Sequence, residues 1–230
     1  IAFGPIDQYE NDLGLRIAAF EVDGYPERDE TSAVSYSEPG RQISRISKRN
    51  DKTLILFAWR VASDSDELPR NLGQRCDAIQ ESFAGAGWEW PQIESMLASV
   101  DDIYYDRVSQ IQMPGWTNGR VALVGDAAAC VSLLAGEGTG LAMAEAYVLA
   151  GELNLSAGDH ATAFKRYEQR LMSLLSGKQK SARKVAASFV PKSQMGIYFR
   201  DWVLTLLPTK WTAKLGLGDL TNDLELPDYS

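Results

Sequence analysis

The stretch from Arg120 to Ala146, RVALVGDAAACVSLLAGEGTGLAMAEA, constrains the fold more than any other part of this 230-residue chain. Val121, Ala122, Leu123 and Val124 follow one another without polar alternation. That pattern predicts a strand covered on both faces, as within an α/β layer. Gly125 permits a sharp exit, and Asp126 falls just past the strand end, where open sheets bind ligands and a carboxylate can accept hydrogen bonds from sugar hydroxyls. Further on, Gly136, Gly138 and Gly140 mark the start of a helix that is apolar nearly all round (Leu141, Ala142, Met143, Ala144, Ala146, Tyr147, Val148, Leu149), which predicts a buried helix. Glycine lets a ligand approach the backbone, while the free amides and dipole of a helix start favour negative charge. The spacing is GxGxG, not the GxGxxG of a dinucleotide turn, and no strand directly precedes it. On the residues alone, a tightly packed glycine-rich helix start and an anion site are equally good readings.

The residues before this stretch alternate as half-buried strands do. GLRIAAFEV (14–22), TSAVSYSE (31–38), RQISRISKR (41–49) and TLILFAWRV (53–61) are rich in β-branched and aromatic residues and predict an antiparallel meander. Asn50-Asp51 is a hairpin signal between the third and fourth. Leu72, Cys76, Ile79 and Phe83 fall on one face of a helix, Pro91 suits the first turn of a second, and IYYDRVSQIQM (103–113) returns as a strand. After the central stretch, residues 159–189 predict a long amphipathic helix, or two joined near Gly177, with Asp159 as N-cap. Pro191 ends it. Residues 195–208 predict an apolar helix interrupted by Arg200 and Asp201, and the acidic tail GDLTNDLELPDYS is expected to be exposed. The fold class is therefore α+β: an antiparallel sheet domain over residues 1–113, the glycine-rich segment and the helices around it over 114–190, and a C-terminal helix and tail over 191–230.

Charge and composition remove several functions. With 23 Lys+Arg against 31 Asp+Glu, the chain carries a formal net charge of −8, the wrong sign for tracking nucleic-acid phosphates. Cys76 and Cys130 are far apart and His160 is the only histidine, so no Cys/His metal site can be assembled. His160 reads as a surface residue. Two unpaired cysteines fit a reducing cytoplasm, and no apolar run reaches the ~20 residues that span a bilayer. From Lys165 to Arg200 nine Lys/Arg meet one acid, Glu168. A solvated helix face is the expected reading of that run, ahead of a surface for an acidic or phosphate-bearing partner.

GRVALVGDAA, followed by GEG and an apolar helix, resembles the glycine-aspartate motif of the FAD-dependent aromatic hydroxylases, the monooxygenases built like p-hydroxybenzoate hydroxylase. LGLRIAAFEVDGYPERDE, EPGRQISRISKRNDKTLILFAWR and AYVLAGEL with AFKRYEQRL resemble the flanking segments in the branch containing polyketide and antibiotic hydroxylases, so nearly the whole chain is covered. The resemblance implies that FAD is the cofactor, that NADPH or NADH reduces it, and that oxygen is inserted into a small aromatic substrate. It places Gly125 and Asp126 at a sugar hydroxyl of FAD, and Gly136, Glu137, Gly138, Thr139 and Gly140 against the pyrimidine side of the flavin ring. Because the flavin carries the chemistry, it implies no catalytic acid–base pair among these residues, and none is assigned.

The resemblance makes residues 114–190 the C-terminal part of the FAD-binding domain and the sheet domain the substrate-binding one, with Phe57, Trp59 and Ile46 as candidates for its pocket or for ordinary sheet core. Relatives usually carry proline in the loop where this chain has Val131. The family's GxGxxG unit for the ADP half of FAD is absent from these residues, which implies a C-terminal portion whose missing half is supplied in cis or in trans, and whose bare strand promotes self-association. A non-catalytic binding module and a flavoprotein reductase or dehydrogenase are the alternatives.

Overall fold

Alternation over the first hundred residues resolves into one antiparallel sheet. The computed structural model describes residues 2–26, 33–61, 67–206 and 226–229. Strands β1 (Glu10–Asp23), β2 (Ala33–Glu38), β3 (Arg41–Ser47), β4 (Lys52–Arg60) and β5 (Tyr104–Ile111) lie in the order β2-β3-β4-β1-β5. Thr31 and Ser32, expected at the start of β2, lie outside the described residues. The β3–β4 hairpin turns at Asn50 (φ 61) and Asp51 (φ 58), two left-handed residues of the kind that match the twist of a hairpin.

Strand register sorts the side chains. Ala18, Phe57 and Ile43 stand opposite one another on one face. On the other face run the rows Ser35–Ser44–Leu56–Ala19 and Ser37–Gln42–Ala58–Ile17. Helices α1 (Leu72–Phe83) and α2 (Trp90–Leu97) cover the first face. Asn71 caps α1 by accepting the Gln74 N–H at 2.9 Å, and Arg41 closes its other end by donating to the Ser82 and Ala84 carbonyls at 3.0 and 3.1 Å. Phe57 meets Phe83 and Trp90, and Trp59 meets Phe83 and Tyr105, mostly edge to face. Phe57 and Trp59 are thus sheet core beneath the helices; Ile46, opposite Leu54, belongs to the other face.

The chain divides into two units, one of residues 14–108 with 188–203, the other of residues 1–13, 109–187 and 204–230. The second unit holds α3 (Asp126–Ala129), α4 (Gly138–Leu155) and most of α5 (His160–Phe189), around a core including Trp116, Val131, Leu141, Val148, Tyr167, Leu171 and Leu175. Two expectations are corrected here. Of the apolar run at 121–124, Val121 and Ala122 form a short ladder (β7) with Thr117 and Asn118 (β6), Leu123 adds an N–H bond to the Trp116 carbonyl at 2.8 Å, and Val121 stays 44% exposed. An unalternated run shows that a segment favours cover, not which residues give it, and this ladder closes locally around Asn118-Gly119. Helix α4 buries one face, including Leu141, Ala144, Glu145 and Val148, but exposes Met143 and Tyr147.

Asp159 caps α5 by accepting from the Ala161 N–H at 3.1 Å, and the helix continues unbroken through Gly177. Helix α6 (Gln194–Leu206) buries Ile197 and exposes Met195, Tyr198, Phe199 and Trp202; residues 207 and 208, expected to extend it, lie outside the described residues. Its Arg200 reaches back to Ser37 Oγ and Gln42 Oε1, both at 3.1 Å. The described part of the tail is not simply solvated. Tyr229 lies on Gly151, where a Cβ would overlap its ring, and its hydroxyl donates to Glu152 at 2.8 Å. Its phenol ring favours cover more strongly than the neighbouring acids favour water.

Candidate functional site

The turn after β7 is built by a glycine that no other residue can replace cheaply. Gly125 has φ 67 and ψ −142, a region almost restricted to glycine, and a Cβ there would press on the Ala142 Cβ at 3.2 Å. Its N–H donates to Glu145 Oε2 at 2.6 Å. Asp126, exposed, opens α3 directly after this turn.

Helix α4 starts opposite it. The first ladder bond runs from the Leu141 N–H to the Glu137 carbonyl at 3.1 Å, so the N–H groups of Gly138, Thr139 and Gly140 belong to the turn that helix geometry leaves without ladder acceptors. A Cβ on Gly138 would sit 3.7 Å from Asp126 Oδ1. The structure therefore brings the carboxylate at one end of the motif to the glycines at the other, on the electropositive end of an 18-residue helix. Gly136 takes the left-handed conformation (φ 67, ψ 7), with nothing within 4 Å of the position a Cβ would occupy. Thr139 and Gly140 are exposed. The side chain of Glu137 turns the other way: it is 5% exposed and pairs with Lys178 Nζ at 3.7 Å.

Glu145 is the residue that sequence reasoning passed over. It is buried beside Gly125, and burial pushes its carboxyl up to about 7, with the Asp126 charge adding to the rise and the Gly125 N–H and Tyr167 hydroxyl opposing it. Tyr167 donates to the Leu123 carbonyl at 3.0 Å and approaches Glu145 Oε2 at 3.3 Å. The signal was available as an acid inside the apolar run Leu141 to Leu149. Cys130, beside Asp126, is pushed up to about 11, chiefly by burial, so its thiol stays protonated and inert near neutral pH. The basic run is likewise only partly a solvated face. Lys178 holds Glu137, Arg170 holds the buried Glu152 at 2.5 Å, and Arg183 donates to Gln110 at 2.9 Å. His160 stands at the start of α5 with its ring against Phe164. Among the described residues no group of three His, Cys, Asp or Glu could hold a metal ion, and no helix is long and apolar enough to cross a membrane.

A carboxylate set against a glycine-lined helix start is the geometry of this candidate site, and comparison with known proteins gives the family of the chain. The FAD binding domain family matches residues 19–170, and the chain belongs to it. It is 33% identical over 232 residues to a flavin-dependent monooxygenase of an unknown prokaryotic organism, covering 100% of this chain and 57% of that protein. The chain thus spans a little over half the length of that relative. The tetracycline destructase Tet(51) shares the fold with a TM-score of 0.78 and 29% identity, over 99% of this chain and 58% of that one. HpxO of Klebsiella pneumoniae, complexed with FAD and uric acid, matches with a TM-score of 0.68 over 90% of this chain and 52% of that one; at 19% identity that likeness shows the fold alone.

Proposed function

We propose that this chain forms the flavin-ring side of the FAD site and the substrate-facing sheet of an NAD(P)H- and FAD-dependent monooxygenase that hydroxylates an aromatic or polyketide-like molecule. The observation that carries this reading is the approach of Asp126 to Gly138, because it joins a sugar-hydroxyl acceptor and an anion-favouring helix start in one place. In this reading Asp126 accepts a hydrogen bond from the cofactor's sugar chain. Gly125 sets the angle of the carboxylate, and Gly136, Gly138, Thr139 and Gly140 let the flavin's pyrimidine edge reach the backbone amides. Glu137 contributes only main chain, since its side chain is committed to Lys178. When bound, the cofactor supplies the redox chemistry. The N-terminal end of α4 would favour negative charge at the flavin edge without reorganisation, and the protein would orient the substrate and exclude water.

The likeness to a tetracycline destructase supports a polycyclic, oxygen-rich substrate. The sequence has no GxGxxG turn after a strand, so the ADP half of FAD would be held by residues other than these, in cis or in trans. The exposure of Val121 and Met143 fits cover from such a partner.

The test is reconstitution with the complete protein. It should bind FAD stoichiometrically, consume NADH or NADPH and oxygen together, and release a hydroxylated product. Asp126→Ala should weaken FAD binding by about 1–3 kcal/mol, roughly five- to 150-fold, while thermal unfolding of the apoprotein is unchanged. Cofactor reduction without oxygen incorporation would point to a reductase. Absence of flavin binding in the complete protein would leave only a binding module.

A further inference from the structure

Between the Asp126 turn and the α4 start, the segment 130–137 passes through a residue whose conformation its own type does not favour. Ser132 has φ 143 and ψ 142, and its hydroxyl is buried without a hydrogen-bond partner. Non-glycine residues stay in such a region only where the surroundings over-determine them. Two grips do so here, one at each end of the segment.

At the first end stand two buried glutamines. Gln110, 0% exposed at the end of β5, donates to the Val131 carbonyl at 2.7 Å and to the Gln179 carbonyl at 2.8 Å. Its own oxygen accepts from Gln112 Nε2 at 3.1 Å and Arg183 Nε at 2.9 Å. That uses all four hydrogen-bonding positions of the amide, so the side chain has one orientation. Gln179, in the middle of α5, donates to the Ile111 carbonyl at 2.6 Å and the Cys130 carbonyl at 3.1 Å. At the second end the neighbouring residue, Lys178, holds Glu137 at 3.7 Å. Successive residues of one helix therefore fasten both ends of the strained segment.

We propose that Gln110, Lys178 and Gln179 are positioning residues that hold segment 130–137 in its strained form before any ligand arrives, so that the α4 start is presented ready-made. The consequence for cofactor binding rests on the flavin reading above; the grip itself does not. A fully satisfied buried amide network is rigid, and a rigid binding loop loses little entropy when its ligand docks.

The test uses the protein with no flavin added. Leu133 is 53% exposed in the middle of the segment, and its peptide bonds can be followed with thermolysin. Gln179→Leu removes both donors to the main chain and should speed cleavage around Leu133 and Leu134 by about tenfold or more, with no new cuts in the sheet. Unchanged cleavage there overturns the proposal. If Gln179→Leu unfolds as a whole, Lys178→Met leaves both glutamines in place and is read at the same bonds with the same criterion. A second measurement, made on the complete protein, separates the two readings. Complete wild-type protein with a protected segment but no FAD uptake overturns the flavin reading and leaves the grip standing. Wild type and Gln179→Leu with equal FAD dissociation constants overturn the preorganising role, for which an increase of about tenfold is expected.

Discussion

Glu145 gives the candidate site a proton of its own. In the folded protein its carboxyl ionises at about 7, against 4.5 when unperturbed. Between those values the folded state binds more protons than the unfolded one. The stability Glu145 contributes is therefore full below about pH 4.5 and is lost as pH rises through about 7. Glu145→Gln should remove that loss, worth up to about 3 kcal/mol between about pH 5 and pH 8. Urea unfolding of wild type and variant at both pH values measures it, and equal pH dependence would show that the carboxyl is not perturbed. Glycine positions divide sharply nearby. Gly125→Ala meets both a forbidden backbone and the Ala142 methyl group and should cost about 2–4 kcal/mol of stability. Gly138→Ala has room, since its new methyl meets only Asp126 at ordinary contact distance. It should leave unfolding nearly unchanged while weakening FAD binding in the complete protein, as titration and calorimetry would show.

At the scale of elements, strands and α1 were legible because burial alternates with the same period as the side chains. Leu72, Cys76, Ile79 and Phe83 all pack into one cluster, as their spacing requires. The identity of the covered face was not legible, since period-2 alternation says that one face is buried without saying what buries it. Phe57 shows the cost of that ambiguity: it serves α1 and α2. Phe57→Ala should lower stability by about 3–5 kcal/mol in chemical denaturation, the loss expected for a buried aromatic. Helix α5 was ambiguous at Gly177 because glycine costs a helix only about 1 kcal/mol. Burial of Leu175, Gln179 and Ala182 on either side offsets it. The candidate site was legible as a motif, Gly125-Asp126 with Gly136 to Gly140, but its supports were not. Gln110, Glu145 and Gln179 act through contacts 20 or more residues away in sequence, and no local pattern encodes those.

At the scale of the molecule, the apolar residues exposed on β7 and α4 set an expectation for the 230 residues in isolation. They should bind FAD weakly and associate through residues 120–153, because Val121 and Met143 face water and the sequence has no GxGxxG turn to cradle the ADP half of the proposed cofactor. Size-exclusion chromatography should show oligomers, and absorbance in the flavin band should rise when the partner portion is added. A monomeric, stoichiometrically yellow chain would overturn that picture.

The hydroxyl- and amide-rich row Ser35, Ser37, Gln42 and Ser44 bears on how the protein is made. These residues occupy the sheet face that receives Arg200. The unit containing that sheet is assembled from residues 14–108 and 188–203, and the ribosome delivers the second piece late. At about 5–20 residues per second, the roughly 80 residues between them take about 4–16 s to emerge. Throughout that interval the nascent sheet has its aromatic face covered by α1 and α2, already synthesised, and its other face waiting. Ser37 and Gln42 there can hydrogen-bond to water in the meantime and exchange those bonds for Arg200 when it arrives, while Ser35 and Ser44 bond each other, which keeps that part of a half-made sheet from becoming sticky.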